Sequence, residues 1–291
     1  MKENIFLKKL NYFSELVMFK HSIFSLPFIF IAMLVGSYLD TGSGWFGWKL
    51  LLFGTLEAIT ARNFAMGINR YLDRDIDRLN PRTKNRPSVD GRITASQMLF
   101  FILINAIVFI SIAYFINDLA FKLTLPILVV LAAYPLFKRF SALAHLILGI
   151  SLGLAPIAGV IAVSGQVPLW SLWLAIGVMF WVSGFDLLYS LQDIEFDKKH
   201  HLHSIPSYFG VQNTMRIAKV FHLLAVFFWS WFVFGARLGI WAQVAVVFAA
   251  VMLTYEHYLV NKDFTKIDKA FFTVNGYLGF IFLIFILLEV M

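Results

Sequence analysis

Nine apolar stretches, each near the twenty residues a helix needs to cross a hydrocarbon core of about 30 Å, run through almost the whole chain. They fall near 22–39, 48–72, 95–117, 119–137, 140–163, 169–192, 214–234, 238–260 and 267–290, with polar breaks between them. In lipid every backbone N–H and C=O must be satisfied internally, so stretches of this length spell helices. With 60% of residues hydrophobic and 14% charged, the expectation is an all-α, polytopic membrane protein of nine transmembrane helices. No polar loop is long enough to fold alone, so 1–291 reads as a single integral domain, with 1–20 as an interfacial amphipathic segment.

The net charge of +7 would suggest nucleic acid in a soluble protein, but here the basic residues sort by side. With the N-terminus inside, 20 of the 24 Lys and Arg fall in inside segments, Lys49, Lys122 and Arg237 fall outside, and Arg62 lies within the second span. This places the N-terminus in the cytoplasm and the C-terminus outside, in what would be a bacterial inner (cytoplasmic) membrane, and leaves membrane lipid rather than nucleic acid as the surrounding partner. The absence of Cys excludes disulfides and thiolate metal sites.

The acidic residues concentrate in two places. Asp73, Asp75 and Asp77 end the second span, and Asp193, Glu195 and Asp197 end the sixth, so both clusters face one compartment. Asn69, Asp73 and Asp77 are four apart, as are Tyr189, Asp193 and Asp197, and residues i and i+4 share a helix face. Seven residues deeper, Arg62 and Asp186 fall about 20° off the same stripes; Arg62 would lie roughly 16 Å in and must face a polar cavity. Paired carboxylate stripes without Cys suit Mg²⁺, a hard ion held by a few carboxylates plus substrate phosphates. The loop after the first stripe adds Arg78, Arg82, Lys84 and Arg86, phosphate-binding in type, so the set reads as a diphosphate clamp.

A shift of 120 residues lays Asn69, Asp73 and Asp77 on Tyr189, Asp193 and Asp197, and the helices after them start at Thr94 and Asn213. A tandem four-plus-four repeat plus one helix follows. A transporter or lipid carrier could also use such a repeat with buried charges, yet its site belongs near the midplane rather than at one face. His21, His145, His222 and His257 invite a haem reading, which their similar depths oppose; interfacial or core histidines explain them better. Likewise His200, His201 and His203 read as a solvated loop, and positive-inside bias alone would account for much of the basic run from Arg78 to Arg92.

The stretch Asn69-Arg70-Tyr71-Leu72-Asp73-Arg74-Asp75-Ile76-Asp77 resembles the NDxxDxxxD motif of the UbiA family of intramembrane aromatic prenyltransferases. Asp186-Leu187-Leu188-Tyr189-Ser190-Leu191-Gln192-Asp193-Ile194-Glu195-Phe196-Asp197 resembles that family's second motif, DxxYxxxDxxxD, and the segments Arg82 to Pro87 and Tyr134 to Arg139 are similar to further family segments. The resemblance implies helices around a central cavity, open to the cytoplasm and laterally to lipid. There a polyprenyl diphosphate is joined to an aromatic acid, for ubiquinone or menaquinone biosynthesis, by Mg²⁺-assisted ionisation and electrophilic aromatic substitution. It implies that Asn69, Asp73 and Asp77 hold one Mg²⁺ and Asp193 and Asp197 a second. Arg82, Lys84, Arg86, Lys138 and Arg139 would bind diphosphate or an acceptor carboxylate, with Asn69 and Asp186 among the substrate contacts. Arg62, Tyr134 and Tyr189 would join the four aspartates in the catalytic set.

Two departures stand out. The position after Asn69 is commonly Asp in the family but Arg70 here, with Asp75 close enough to compensate. Residues 19–28 differ from the ubiquinone-type 4-hydroxybenzoate enzymes and look more like a 4-hydroxybenzoate-polyprenyltransferase-like subgroup, some of which serve the futalosine route to menaquinone. The expected acceptor is therefore 4-hydroxybenzoate or a dihydroxynaphthoate.

Overall fold

The computed structural model describes residues 5–18 and 26–291, so the start of the first expected span, Lys2 and Lys20, and most of the segment 19–28 lie outside the described residues. In chain order the helices are α1 (Ile5–Leu16), α2 (Leu26–Thr41), α3 (Trp48–Leu72), α4 (Arg74–Leu79), α5 (Ala95–Ile116), α6 (Asp118–Ala133), α7 (Ala144–Ser164), α8 (Leu169–Ser190), α9 (Ile194–Lys199), α10 (Ile205–Gly235), α11 (Ile240–Lys262), the single turn α12 (Ile267–Lys269) and α13 (Asn275–Val290). Tighter 3₁₀ turns cover Tyr134–Arg139 and Leu191–Asp193, and a π turn covers Ala270–Val274. Among the described residues all regular structure is helical.

Seven helical segments among the described residues are long and apolar enough to cross a membrane. The 16 residues of α2 are short for a crossing, and α3, although 25 residues long, carries Glu57, Arg62 and Asn63 along its middle. Large apolar side chains such as Leu99, Phe100, Leu103, Ile107, Leu223 and Phe234 stand exposed on the flanks, the surface expected against lipid.

Local sequence chemistry explains several helix ends. Thr94 and Gln97 form a reciprocal capping box that starts α5, and Ser204 with Ser207 does the same for α10, where Pro206 occupies the first turn. The cap draws α10 back to Ile205, nine residues before the expected start at 214; the chain kinks at Gly210 (φ 73°, ψ 175°), and the expected span corresponds to the part beyond the kink. The last expected span, 267–290, contains the π turn; α-helical bonding resumes at Asn275, and the stretch long and apolar enough to cross runs from Phe271 to Val290.

The central column is α8. Its Trp181 packs with Phe28 of α2 at 5.1 Å and with Trp229 of α10 at 6.1 Å, while Phe282 of α13 closes the cluster against Phe28 at 5.7 Å. Glycines permit the closest helix contacts: a Cβ on Gly149 of α7 would lie 2.4 Å from the Met179 carbonyl oxygen of α8. A buried polar chain ties this region together, Trp181 Nε1–H donating to Asn275 Oδ1 at 2.7 Å and Asn275 Nδ2–H to Glu256 Oε1 at 2.8 Å. His222 and His257 bond each other at 2.9 Å, which makes them core histidines rather than haem ligands. Both α3 and α8 end at the same end of the bundle, where α4, α9 and the turn Tyr134–Arg139 gather.

Candidate functional site

The first acidic cluster is built on a corner. Asp73 (φ −89°, ψ 5°) ends α3 and starts α4, so the expected straight stripe is bent. Its register survives, because Asp73 N–H donates to the Asn69 carbonyl at 3.0 Å and Asp77 N–H to the Asp73 carbonyl at 2.7 Å. The corner buries Asp73 and Asp77 to 2% and 4% exposure and turns Asp75 outward. A buried carboxylate needs a counter-ion, and each has one. Lys138 Nζ pairs with Asp73 Oδ2, whereas Arg86 Nη1 reaches both oxygens of Asp77 at 2.7 and 2.8 Å. Burial pushes the Asp73 carboxyl above the usual carboxylate range, against the opposing pull of Lys138. Asp75 accepts two bonds from Arg139, at 2.7 and 2.9 Å, which hold it down to about 2. Arg139 also donates to the Leu72 carbonyl at 2.7 Å, satisfying an orphan acceptor at the end of α3.

The second cluster follows the same plan. Tyr189 sits in the last turn of α8, Asp193 in the 3₁₀ turn and Asp197 in α9. The two clusters are joined by the loop that follows the first. Arg82 pairs with Asp193 through Nη2, donates from Nε to Asp193 Oδ1 at 3.1 Å, and reaches the Tyr189 hydroxyl at 2.9 Å. Asn80 Nδ2–H adds a bond to Asp193 Oδ1 at 3.2 Å. Ser204 Oγ–H donates to Asp197 at 2.7 Å, and His145 Nδ1 lies 2.7 Å from Asp186 Oδ2. Lys84 is brought to none of these groups: it is exposed, with no ion-pair partner among the described residues. Sequence reasoning misses Asn80 and Ser204 and reads His145 only as an interfacial or core histidine. The Asn80-Pro81 turn was a usable signal for the first; nothing local marks the other two.

Beside the clusters lies a cavity of about 360 Å³, walled by α3, α6, α7 and α8. Asn69, Arg70, Arg86, Tyr134, Asp186 and Tyr189 line its polar end, while Ala58, Ala61 and Ala65 of α3 and Ala155 and Ala158 of α7 line its apolar part. Arg62 faces it as expected from its stripe, and Glu57 lines it one turn deeper. Arg62 Nε and Glu57 Oε1 are buried without hydrogen-bond partners. Asp73 Oδ1 is also buried without a hydrogen bond, its nearest cation Arg139 Nη2 at 4.0 Å, and the side-chain oxygens of Asn69, Asp73, Asp77, Asp193 and Asp197 are the donor type Mg²⁺ prefers. Among the described residues, however, no three acidic or histidine side chains are close enough to hold one ion; Asp73, Asp77 and Asp193 are paired with Lys138, Arg86 and Arg82 instead. Oxygens from a bound phosphate ligand would complete such a set.

Comparison with known proteins gives concordant results. The model of the UbiA prenyltransferase family matches residues 28–285. Among curated relatives, the 4-hydroxybenzoate octaprenyltransferase of Herminiimonas arsenicoxydans is 30% identical over 234 residues, covering 80% of this chain and 81% of that protein. That of Paracidovorax citrulli (strain AAC00-1) is 30% identical over 239 residues, covering 81% and 80%. Among solved structures, an apo UbiA homolog from Aeropyrum pernix K1 superposes with a TM-score of 0.83 at 29% identity, over 92% of this chain and 97% of that one. A UbiA homolog from Archaeoglobus fulgidus bound to GPP and Mg²⁺ gives 0.74 at 19% identity, over 94% and 99%, and so shares the fold.

Proposed function

Because the chain belongs to the UbiA prenyltransferase family and is an integral membrane protein, we propose that it transfers a polyprenyl group from an isoprenoid diphosphate to 4-hydroxybenzoate or a dihydroxynaphthoate in quinone biosynthesis. The observation that carries this is the joining of two acidic clusters and four cationic side chains at the polar end of an alanine-lined cavity. The 4-hydroxybenzoate octaprenyltransferase relatives and the GPP and Mg²⁺ held by the A. fulgidus homolog support the same class of donor and acceptor. A carrier with a midplane site would not place its carboxylates at one end.

Asn69, Asp73, Asp77, Asp193 and Asp197 would hold Mg²⁺, which when bound supplies positive charge against the departing diphosphate. Lys138, Arg82 and Arg86, freed from their carboxylates, turn to the phosphate oxygens, and exposed Lys84 adds charge at the rim. The allylic C–O bond breaks, the dry cavity keeps water from the cation, and a ring carbon forms the new C–C bond. Asp186, oriented by His145, takes the ring proton, while Tyr134 and Tyr189 present their rings to the cation. Arg62 is the counter-ion for the acceptor carboxylate. Removing a hydrogen bond to a charged group costs about 2 kcal/mol, so Arg62→Met should raise the acceptor KM roughly thirtyfold and leave the donor KM unchanged in steady-state assays.

The same reading includes nine crossings, with the N-terminus and acidic end cytoplasmic and the C-terminus outside. The repeat is supported by α4 (Arg74–Leu79) and α9 (Ile194–Lys199), two six-residue helices leaving matched corners 120 residues apart. The deciding experiment incubates purified protein with radiolabelled isoprenoid diphosphate and a panel of 4-hydroxybenzoate and dihydroxynaphthoates. Labelled lipid product should form with at least one acceptor and disappear on chelation of Mg²⁺. No product with any acceptor would overturn the proposal.

A further inference from the structure

One buried charge at the mouth of the cavity is unused by this mechanism. Arg70 is 6% exposed, yet its guanidinium makes three contacts. Nε–H donates to the Leu16 carbonyl at 3.4 Å, Nη2–H to Met18 Sδ at 3.0 Å, and Nη1–H to Asn69 Oδ1 at 3.1 Å. Leu16 is the last residue of α1, so the cation sits on the negative end of that helix. Met18, two residues on, lines the cavity, as do Arg70 and Asn69.

The rest of α1 is fastened independently. Leu16 packs with Ile93 and Met98, and Phe13 stacks on Phe101 at 4.9 Å. At the rim Glu15 accepts two bonds from Arg92, at 2.6 and 2.9 Å, and Arg92 lies over the Tyr12 ring at 5.2 Å. Arg92 therefore holds α1 from outside and touches nothing in the cavity, whereas Arg70 holds it from inside and also holds a side chain of the acidic end.

We infer that Arg70 is a positioning residue that couples the seating of α1 over the cavity mouth to the orientation of Asn69, and hence to Mg²⁺-diphosphate binding. This rests on the proposed activity. A carboxylate at this position would repel the Leu16 carbonyl at the end of α1 and could not donate to it; the guanidinium does, and fixes the neighbouring amide with the same group. Coupling is reciprocal, so a donor that tightens around Asn69 must also tighten α1.

The test measures hydrogen exchange across residues 8–18 and equilibrium binding of an isoprenoid thiolodiphosphate with Mg²⁺, in wild type, Arg70→Met, Arg70→Lys and Glu15→Gln. In wild type the ligand should slow exchange at the end of α1. Arg70→Met should bind it about tenfold more weakly, with fast exchange that the ligand no longer changes, and Arg70→Lys should recover part of both. Glu15→Gln should loosen α1 yet keep the ligand response. Wild-type binding and protection with Arg70→Met unchanged in both would overturn the coupling alone. Absence of ligand binding by wild type would overturn the proposed activity and the coupling with it.

Discussion

Replacing Asp73 or Asp193 by Asn is expected to slow prenyl transfer by about a thousandfold, the upper range for losing one preorganised charge-stabilising group. Each change keeps shape and removes one negative charge. The two differ in their surroundings: the Asp73 side chain is 2% exposed beside Lys138, while Asp193 is 19% exposed under Arg82. Asp73→Asn strands a lysine that is itself partly exposed and can turn to water, so the fold should survive in both variants. Single-turnover transfer of a labelled donor at saturating acceptor gives the measurement, with a thermal unfolding curve in detergent as the control. Full activity in either folded variant would remove that cluster from the chemistry.

The largest effect on stability is expected at a residue with no side chain. Gly149→Ala places a methyl 2.4 Å from the Met179 carbonyl oxygen and 2.2 Å from Ser183 Oγ, and backbone cannot rotate out of the way. The helices α7 and α8 must separate, and since α8 is the central column the strain spreads to α2, α10 and α13. Overpacking of this kind costs about 3 kcal/mol, which for a chain of this size lowers Tm by roughly 8 °C. Gly235→Ala is the matched control, because its added methyl would meet only ordinary contacts at 3.6 Å, and its Tm should stay within about 1 °C. Equal melting of the two variants would show that α7 and α8 are not locked at Gly149.

How much of this was legible in the sequence depended on the range of the interaction. Apolar length marked the seven segments long enough to cross a membrane, and four-residue spacing marked the shared register of Asn69, Asp73 and Asp77, because both are properties of a few consecutive turns. The corner at Asp73 escaped that treatment, since i to i−4 bonds continue through it and spacing alone cannot tell a bend from a straight helix. The partners of the acids were hidden for a different reason. Arg82 and Asp193 are 111 positions apart and Lys138 and Asp73 are 65 apart, separations at which no periodicity carries information. Arg70 was visible as a departure from the family motif, but its use required knowing that the end of α1 passes over it. The π turn that shortens α13 has no signal in an apolar run such as Ala270 to Val274.

The alanines of the cavity bear on how such a protein changes over generations. Ala58, Ala61 and Ala65 of α3 and Ala155 and Ala158 of α7 line the apolar part of the cavity with the smallest of apolar side chains. Each of these positions is one nucleotide-level step from a larger residue that would narrow the slot without disturbing the charged end. Under the proposed activity, the length and branching of the lipid accepted and the bond-making machinery are separable traits. A lineage could shift its lipid repertoire by drift at five small residues while its aspartates stay under constraint.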